Sequence, residues 1–265
     1  MKTALHTLLA VLTVGATMSH AALVSHWTFD ESSGTTATDS AGAFNGTLSG
    51  GATFVPGGIS GNAISLAEIS NSLVNMGTSF PGFTTGDFSI MTWVKTTSTD
   101  PDTIVVGKHE GGQFAGYFIG VNQNNVYGAP NKGWFYSASS AGNGPTSTTT
   151  VNDGAWRQIV GVYTAGSTAL IYVDGAPLED SKTANVMNAN TAPFLIGGFS
   201  QSGNPTATYT GLVDDVQVYS HALTSSDVQF LFANPGQVVP EPASLMLFVG
   251  GAVILFGARR RTPMA

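Results

Sequence analysis

The chain carries sixteen Asp and Glu residues, five His and no Cys, so any catalysis would rest on carboxylates or imidazoles. Retaining glycoside hydrolysis needs two carboxyl groups about 5 Å apart. Glu31, Glu68, Glu110 and Glu179 stand isolated. In the pairs Asp30-Glu31 and Glu179-Asp180 a strand would send the two neighbours to opposite faces. No nucleophile motif of the G-x-S-x-G kind lies near His26, His109 or His221. These spacings predict no catalytic site.

Two binding chemistries are better supplied. Asp30, Asp39, Asn45 and the pair Asp214-Asp215 offer hard oxygen ligands of the kind that calcium takes, and one structural calcium ion is the expectation. The same residues also read as turn formers (Asp39, Asn45) and a solvated strand carboxylate (Asp214). For sugars, the segment GYFIGVNQNNVYGAPNKGWFY gathers Tyr117, Asn122, Tyr127, Trp134 and Tyr136. Aromatic faces stack on sugar rings while Asn bonds the hydroxyls. Trp134, beside Gly133 where a loop enters a strand, is the leading candidate. The competing reading of each aromatic is core packing, where Trp and Tyr carry much of the buried area. Trp27, Trp93 and Trp156 lie inside strand patterns and are assigned to the core.

What must position these residues is a set of strands. Charged residues are only 9% of the chain and glycines number 33, a composition of short strands and tight turns. LVSHWTF (23–29) alternates, and DFSIMTWVKT (87–96) is apolar or β-branched on both faces, as befits a central strand whose outer face is covered or lines a groove. Asn45-Gly46 reads as a turn and Asp174-Gly175 as a hairpin. LVDDVQVY (212–219) is a late strand, and Thr224 with Asp227 stands at capping-box spacing before a short helix. The fold class is all-β, a two-sheet antiparallel β-sandwich, in one domain over 23–233 with a linker at 234–239. Between Leu23 and Val239 there are fifteen acidic and five basic residues, so nucleic acid is excluded as an electrostatic partner. An exported domain without disulfides must rely on its core or on an ion.

Both ends carry export signals. Lys2, the apolar Leu8–Val14 and the small-x-small Ser19-His20-Ala21 predict a signal peptide, 1–21, cleaved after Ala21. From Ala243 to Ala258 no residue is charged. As a helix this run reaches roughly 24 Å, short of a hydrocarbon core of about 30 Å, and the stems of Arg259, Arg260 and Arg261 can make up the difference. The arginines stay cytoplasmic by the positive-inside rule, which puts the sandwich on the far side of the inner membrane.

The tail, with Pro240-Glu241-Pro242, then the apolar run, then the arginines, resembles a PEP-CTERM sorting signal. That resemblance implies an exosortase-type processing enzyme as partner, anchoring in the membrane before processing, and the cell surface or extracellular matrix afterwards. The blocks SHWTFDESSG, DFSIMTWVKT, WRQIVGVYTAGSTALIYVDG and TGLVDDVQVYSHALTSSDV resemble, in that order, a laminin-G-like jelly roll of the concanavalin A-like lectin/glucanase superfamily. It implies two curved sheets of roughly six or seven strands each. In calcium-bearing relatives the ion joins the start of the chain to its closing strand. By position, the resemblance makes Asp30, the backbone of Gly46 and Asp214 the ligands, with Asp39 and Asn45 beside them. The expected function is a non-catalytic module binding a polysaccharide or cell-surface ligand; the alternative is a structural or adhesive protein that binds other proteins.

Overall fold

The computed structural model describes residues 22–68, 71–122, 129–138, 144–175, 177–184 and 186–240. The expected signal peptide with Ala21, and the tail with Glu241, Pro242, the 243–258 run, Arg259, Arg260 and Arg261, lie outside the described residues. Among the described residues no helix is long and apolar enough to cross a membrane.

In chain order the described strands are β1 (Leu23–Trp27), β2 (Thr36–Ala37), β3 (Gly46–Ser49), β4 (Thr53–Pro56), β5 (Asn62–Leu66), β6 (Leu73–Asn75), β7 (Phe88–Lys95), β8 (Thr103–Glu110) and β9 (Ala115–Val121). Then follow β10 (Lys132–Ala138), β11 (Thr146–Thr150), β12 (Arg157–Thr164), β13 (Thr168–Val173), β14 (Leu178–Thr183), β15 (Phe194–Ile196), β16 (Gly198–Gln201), β17 (Asn204–Ala207), β18 (Gly211–Tyr219) and the helix α1 (Ser225–Ala233). They form an eight-stranded sheet, β14-β13-β12-β7-β18-β5-β4 with β1 also on β18, and a ten-stranded sheet, β11-β10-β9-β8-β15-β6-β3-β2 with the β16-β17 hairpin beside β8. Pairing is antiparallel except for one bridge, Ser200 with Glu110. The sandwich is therefore the one expected, with more strands per sheet, because strands of two or three residues such as β2, β6 and β15 are too short to show an alternating pattern.

Side-chain alternation divides the molecule into layers. In β7, Phe88, Ile90 and Val94 point between the sheets, while Met91 and Trp93 point outward. The inter-sheet core is aromatic: Trp27 stacks on Phe194 at 5.5 Å, and Phe80 lies 4.2 Å from Phe194. Each fully buried side chain of this size contributes about 1.5–3 kcal/mol. The outer face of the eight-stranded sheet is covered by α1, whose Val228 and Leu231 meet Met91, Val160 and Tyr219, and whose Phe232 stacks on Trp93 at 5.6 Å. The helix begins where the sequence says: the Thr224 hydroxyl accepts the Asp227 N–H and the Asp227 carboxylate accepts the Thr224 N–H.

Three local expectations change. Trp93 is buried as expected, in the second layer under α1, whereas Trp156 is only half-buried against that layer, because strand periodicity fixes alternation without saying which face is the inner one. Asn45-Gly46 is no tight turn: Gly46 opens β3, and a Cβ there would strike Val74. The 234–239 stretch is no free linker, since Gly236, Gln237 and Val239 all hydrogen-bond to the domain.

Candidate functional site

The predicted sugar-binding residues divide by strand parity. In β9, Tyr117 points inward, fully buried, with its ring 4.6 Å from Phe88 and its hydroxyl donating to the Pro81 carbonyl; burial pushes that phenol well up. It is a core residue. Register then pairs Tyr136 with Phe118 and Trp134 with Gly120, so Phe118, Trp134 and Tyr136 share the outer face of the ten-stranded sheet. Phe118 stacks on Tyr136 at 4.9 Å, and Trp134 meets Phe118 edge-on at 5.0 Å. His109 of β8 lies 4.8 Å from Phe118 and 5.2 Å from Tyr136, and Phe199 of β16 is 5.9 Å from His109.

This outer aromatic face is tightly packed: Trp134 is 5% and Tyr136 2% exposed. Burial lowers the His109 pKa to about 4, so the ring is neutral at ordinary pH. His109 Nδ1 and Trp134 Nε1 are buried with no hydrogen-bond partner among the described residues, each a cost of about 1–3 kcal/mol. At the edge, the Tyr136 hydroxyl donates to the carbonyl of Phe114, whose own ring is 42% exposed. Beside it opens a polar cleft of about 330 Å³ lined by Glu110, Gly112, Gln113, Thr191, Ser202 and Gly203. Asn122, in contrast, is spent on structure. Its amide donates to the Ser98 carbonyl at 2.6 Å and accepts the Asn131 N–H at 3.1 Å. Tyr127 lies outside the described residues. Sequence reasoning missed Phe118, Phe199 and Phe114; Phe118 was readable as the outward neighbour of Tyr117 once β9 is taken as a strand.

The oxygen ligands also divide. Asp39 Oδ1 accepts backbone N–H groups of His26, Ala41 and Gly42 at 2.9–3.1 Å and Oδ2 that of Phe44, while Asn45 Oδ1 accepts the Asp39 N–H. Burial alone would push the Asp39 pKa up, but these bonds outweigh it and hold the carboxyl below its ordinary value. With four donors on two oxygens, Asp39 is a loop clamp and does not fit a metal, and Gly46 packs against Val74 and Met76. Asp30 and Asp214 differ. Both close on the loop between β4 and β5: Asp30 Oδ1 accepts the Asn62 N–H at 2.9 Å, and Asp214 Oδ2 accepts the Ser60 N–H at 3.2 Å. Asp214 is fully buried beside Asp215, and burial pushes its pKa up to about 8. A carboxyl so placed fits a cation or a proton. Among the described residues no three His, Asp or Glu side chains converge as a metal group, so any ion there would take backbone carbonyls as well.

Two further carboxylates are held as acceptors. Glu110 takes bonds from Ser200 and from the Ser202 and Gly203 N–H groups, and Glu179 from Thr148 and Thr149. In both, these bonds outweigh burial and lower the pKa. A family model described as Concanavalin A-like lectin/glucanases superfamily matches residues 60–229, more than half of the chain.

The chain belongs to this concanavalin A-like superfamily. A second match, the PEP-CTERM protein-sorting motif, covers residues 238–261 and supports export of this concanavalin A-like protein, with anchoring in the membrane before processing. No curated protein matches it. Among solved structures it is similar to domain 4 of AbnA, a GH43 extracellular arabinanase from Geobacillus stearothermophilus in complex with arabinotriose: TM-score 0.61, 22% identity, covering 80% of this chain and 98% of that one. It is also similar to the binding domain of botulinum neurotoxin DC in complex with SialylT (TM-score 0.59, 13% identity, 80% and 51% covered). A third likeness is to Trypanosoma rangeli sialidase in complex with sialic acid (TM-score 0.56, 18% identity, 80% and 32% covered). The last two are much longer than the part matched. At these identities the likeness shows the fold, which binding domains and glycosidases share.

Proposed function

We propose that this concanavalin A-like protein is a non-catalytic carbohydrate-binding module, displayed at the cell surface or in exopolysaccharide after an exosortase processes its tail. The observation that carries the reading is the outer aromatic face of the ten-stranded sheet, Phe118, Trp134, Tyr136, His109 and Phe199, which ends at exposed Phe114 and a polar cleft. A ring on Phe114 could stack its apolar face while Gln113, Thr191 and Ser202 bond its hydroxyls. The packed aromatics beneath make a rigid floor, which lowers the ordering cost of binding. The arabinanase domain seen with arabinotriose supports the sugar class. The non-catalytic reading is supported by how the carboxyls are held: Asp214 is fully buried and bonded by backbone N–H groups, and Glu110, which lines the cleft, spends its oxygens on Ser200, Ser202 and Gly203.

Affinity electrophoresis of the exported protein against arabinan and acidic and neutral polysaccharides tests this. Retardation by one of them should fall at least tenfold in Phe114→Ala with an unchanged melting curve. No retardation by any would favour the adhesive reading, and release of sugar would overturn the non-catalytic one. We also propose that Asp30 and Asp214, with carbonyls of the 58–62 loop, hold one calcium ion. The melting temperature should then rise with calcium and fall with chelator, and a midpoint indifferent to both removes the ion.

A further inference from the structure

Asp215 sits at a β-bulge. The register of β18 against β7 slips between Asp214 and Gln217, and Asp215 has φ +47°, a left-handed conformation costly for a non-glycine residue. What holds the bulge is what its carboxylate touches. Asp215 Oδ1 lies 2.8 Å from His26 Nε2 of β1 and accepts a bond from Gln217 Nε2, while Oδ2 accepts the Gly236 N–H at 2.7 Å. One buried carboxylate thus ties the first strand to the segment that follows α1.

The same segment is held twice more. Gln217 Nε2 donates to the Gln237 carbonyl at 2.9 Å, and the Tyr219 hydroxyl, itself bonded to Gln217 Oε1, accepts the Val239 N–H at 3.3 Å. The Val239 side chain is 6% exposed in the layer with Met91, Trp93 and Leu231. Gln217, Tyr219 and Asp215 are all nearly or fully buried. Pro240, the first residue of the sorting tripeptide, follows immediately.

We infer that the folded sandwich is a gate on its own sorting signal: Asp215, Gln217 and Tyr219 latch residues 236–239, and the processing enzyme must wait for the latch to open before it can take the chain on the N-terminal side of Pro240-Glu241-Pro242. A transpeptidase binds its substrate extended, with backbone groups on both sides of the motif available. In the latched chain the N–H groups of Gly236 and Val239 and the carbonyl of Gln237 are already bonded inward. The competent state is the opened tail, and the apparent rate of processing is reduced by the fraction of chain that is open. The latch therefore positions the substrate and delays its release.

The inference rests on the exosortase processing proposed above, and the test separates the two. Full-length protein in detergent is given a non-specific protease and cleavage within 234–240 is followed; in parallel, conversion of the exported precursor is followed by pulse-chase in an exosortase-bearing host. Val239→Ser weakens the tail's seat against the layer of Met91, Trp93 and Leu231, and Tyr219→Phe removes the hydroxyl that holds the Val239 N–H. Tyr219→Phe should speed tail cleavage about fivefold, the equivalent of one net hydrogen bond, and Val239→Ser, which gives up buried apolar area, at least as much; precursor conversion should rise by similar factors, while both variants still melt cooperatively at a somewhat lower midpoint. Unchanged tail cleavage in both variants overturns the latch. Faster tail cleavage with precursor conversion unchanged or slower overturns the gate. Conversion of no chain, wild type included, overturns the processing reading and the gate with it.

Discussion

Asp39 and Asp214 are opposite solutions to a buried carboxyl. Asp39 stays ionised because backbone N–H groups surround it, so its folded pKa is depressed. The stability it supplies is present above the ordinary value of 3.8 and is lost as pH falls through the folded value. Asp39→Ala leaves those N–H groups unmatched, and a loss of roughly 3 kcal/mol in urea unfolding is expected. Asp214 has a raised pKa, so its contribution has the other sign: present in full below 3.8, lost as pH rises through about 8. In chelator, the melting temperature of Asp214→Asn should fall less over that window than that of the wild type; equal slopes in differential scanning calorimetry would refute the assignment. Both residues were legible as oxygen donors near turns or strands. Their roles were not, because the donors that satisfy Asp39 come from residues 26 to 44 and converge only when the loop closes.

At the scale of elements, parity decided the site. Alternation was readable within β9 and β10, but the face each strand turns to the core depends on the hairpin register, and 123–128 offers no turn signal that fixes it. Tyr117 therefore went inward and Trp134 and Tyr136 outward, though all three looked alike in sequence. The helix was the opposite case, since its capping box is a local code. Thr224→Ala should cost about 1 kcal/mol by loosening α1 from Trp93, read as a lower urea midpoint with an unchanged slope. Across the sandwich, the Phe135 ring of β10 rests on Gly161 of β12. Gly161→Val would drive two methyl groups into that ring, and a loss of about 1–3 kcal/mol is expected from overpacking; an unchanged midpoint would mean that the two sheets are not packed in this register.

For the whole molecule, the decisive strand is the first. Among the described strands β1 pairs only with β18, with one further bridge from Trp27 to Asp39, yet Trp27 reaches the centre of the inter-sheet core, 5.8 Å from Phe80 and 5.5 Å from Phe194, and its Nε1 donates to the Phe44 carbonyl. His26 adds the contact to Asp215 that also holds the tail. The strand is thus a non-local closure: residues 23–27 complete a sheet and a core built some 190 positions later, as the His26–Asp215 separation of 189 shows. Such contacts form late, because loop-closure entropy must be met first. Removing Leu23–Trp27 should consequently do more than trim an edge. It leaves Phe80 and Phe194 facing a cavity the size of an indole, a loss of about 3–5 kcal/mol for the Trp alone, and exposes β18, whose free N–H and C=O groups would pair with other chains. With total stabilities of about 5–15 kcal/mol, the shortened chain is expected to lose its near-ultraviolet circular dichroism and elute as aggregate, whereas Trp27→Phe, which keeps the strand and most of the ring, should stay monomeric with a lowered melting temperature. A monomeric, cooperatively melting chain without β1 would show that the ten-stranded sheet and β18 suffice, and that the closure of β1 on β18 is not what completes the fold.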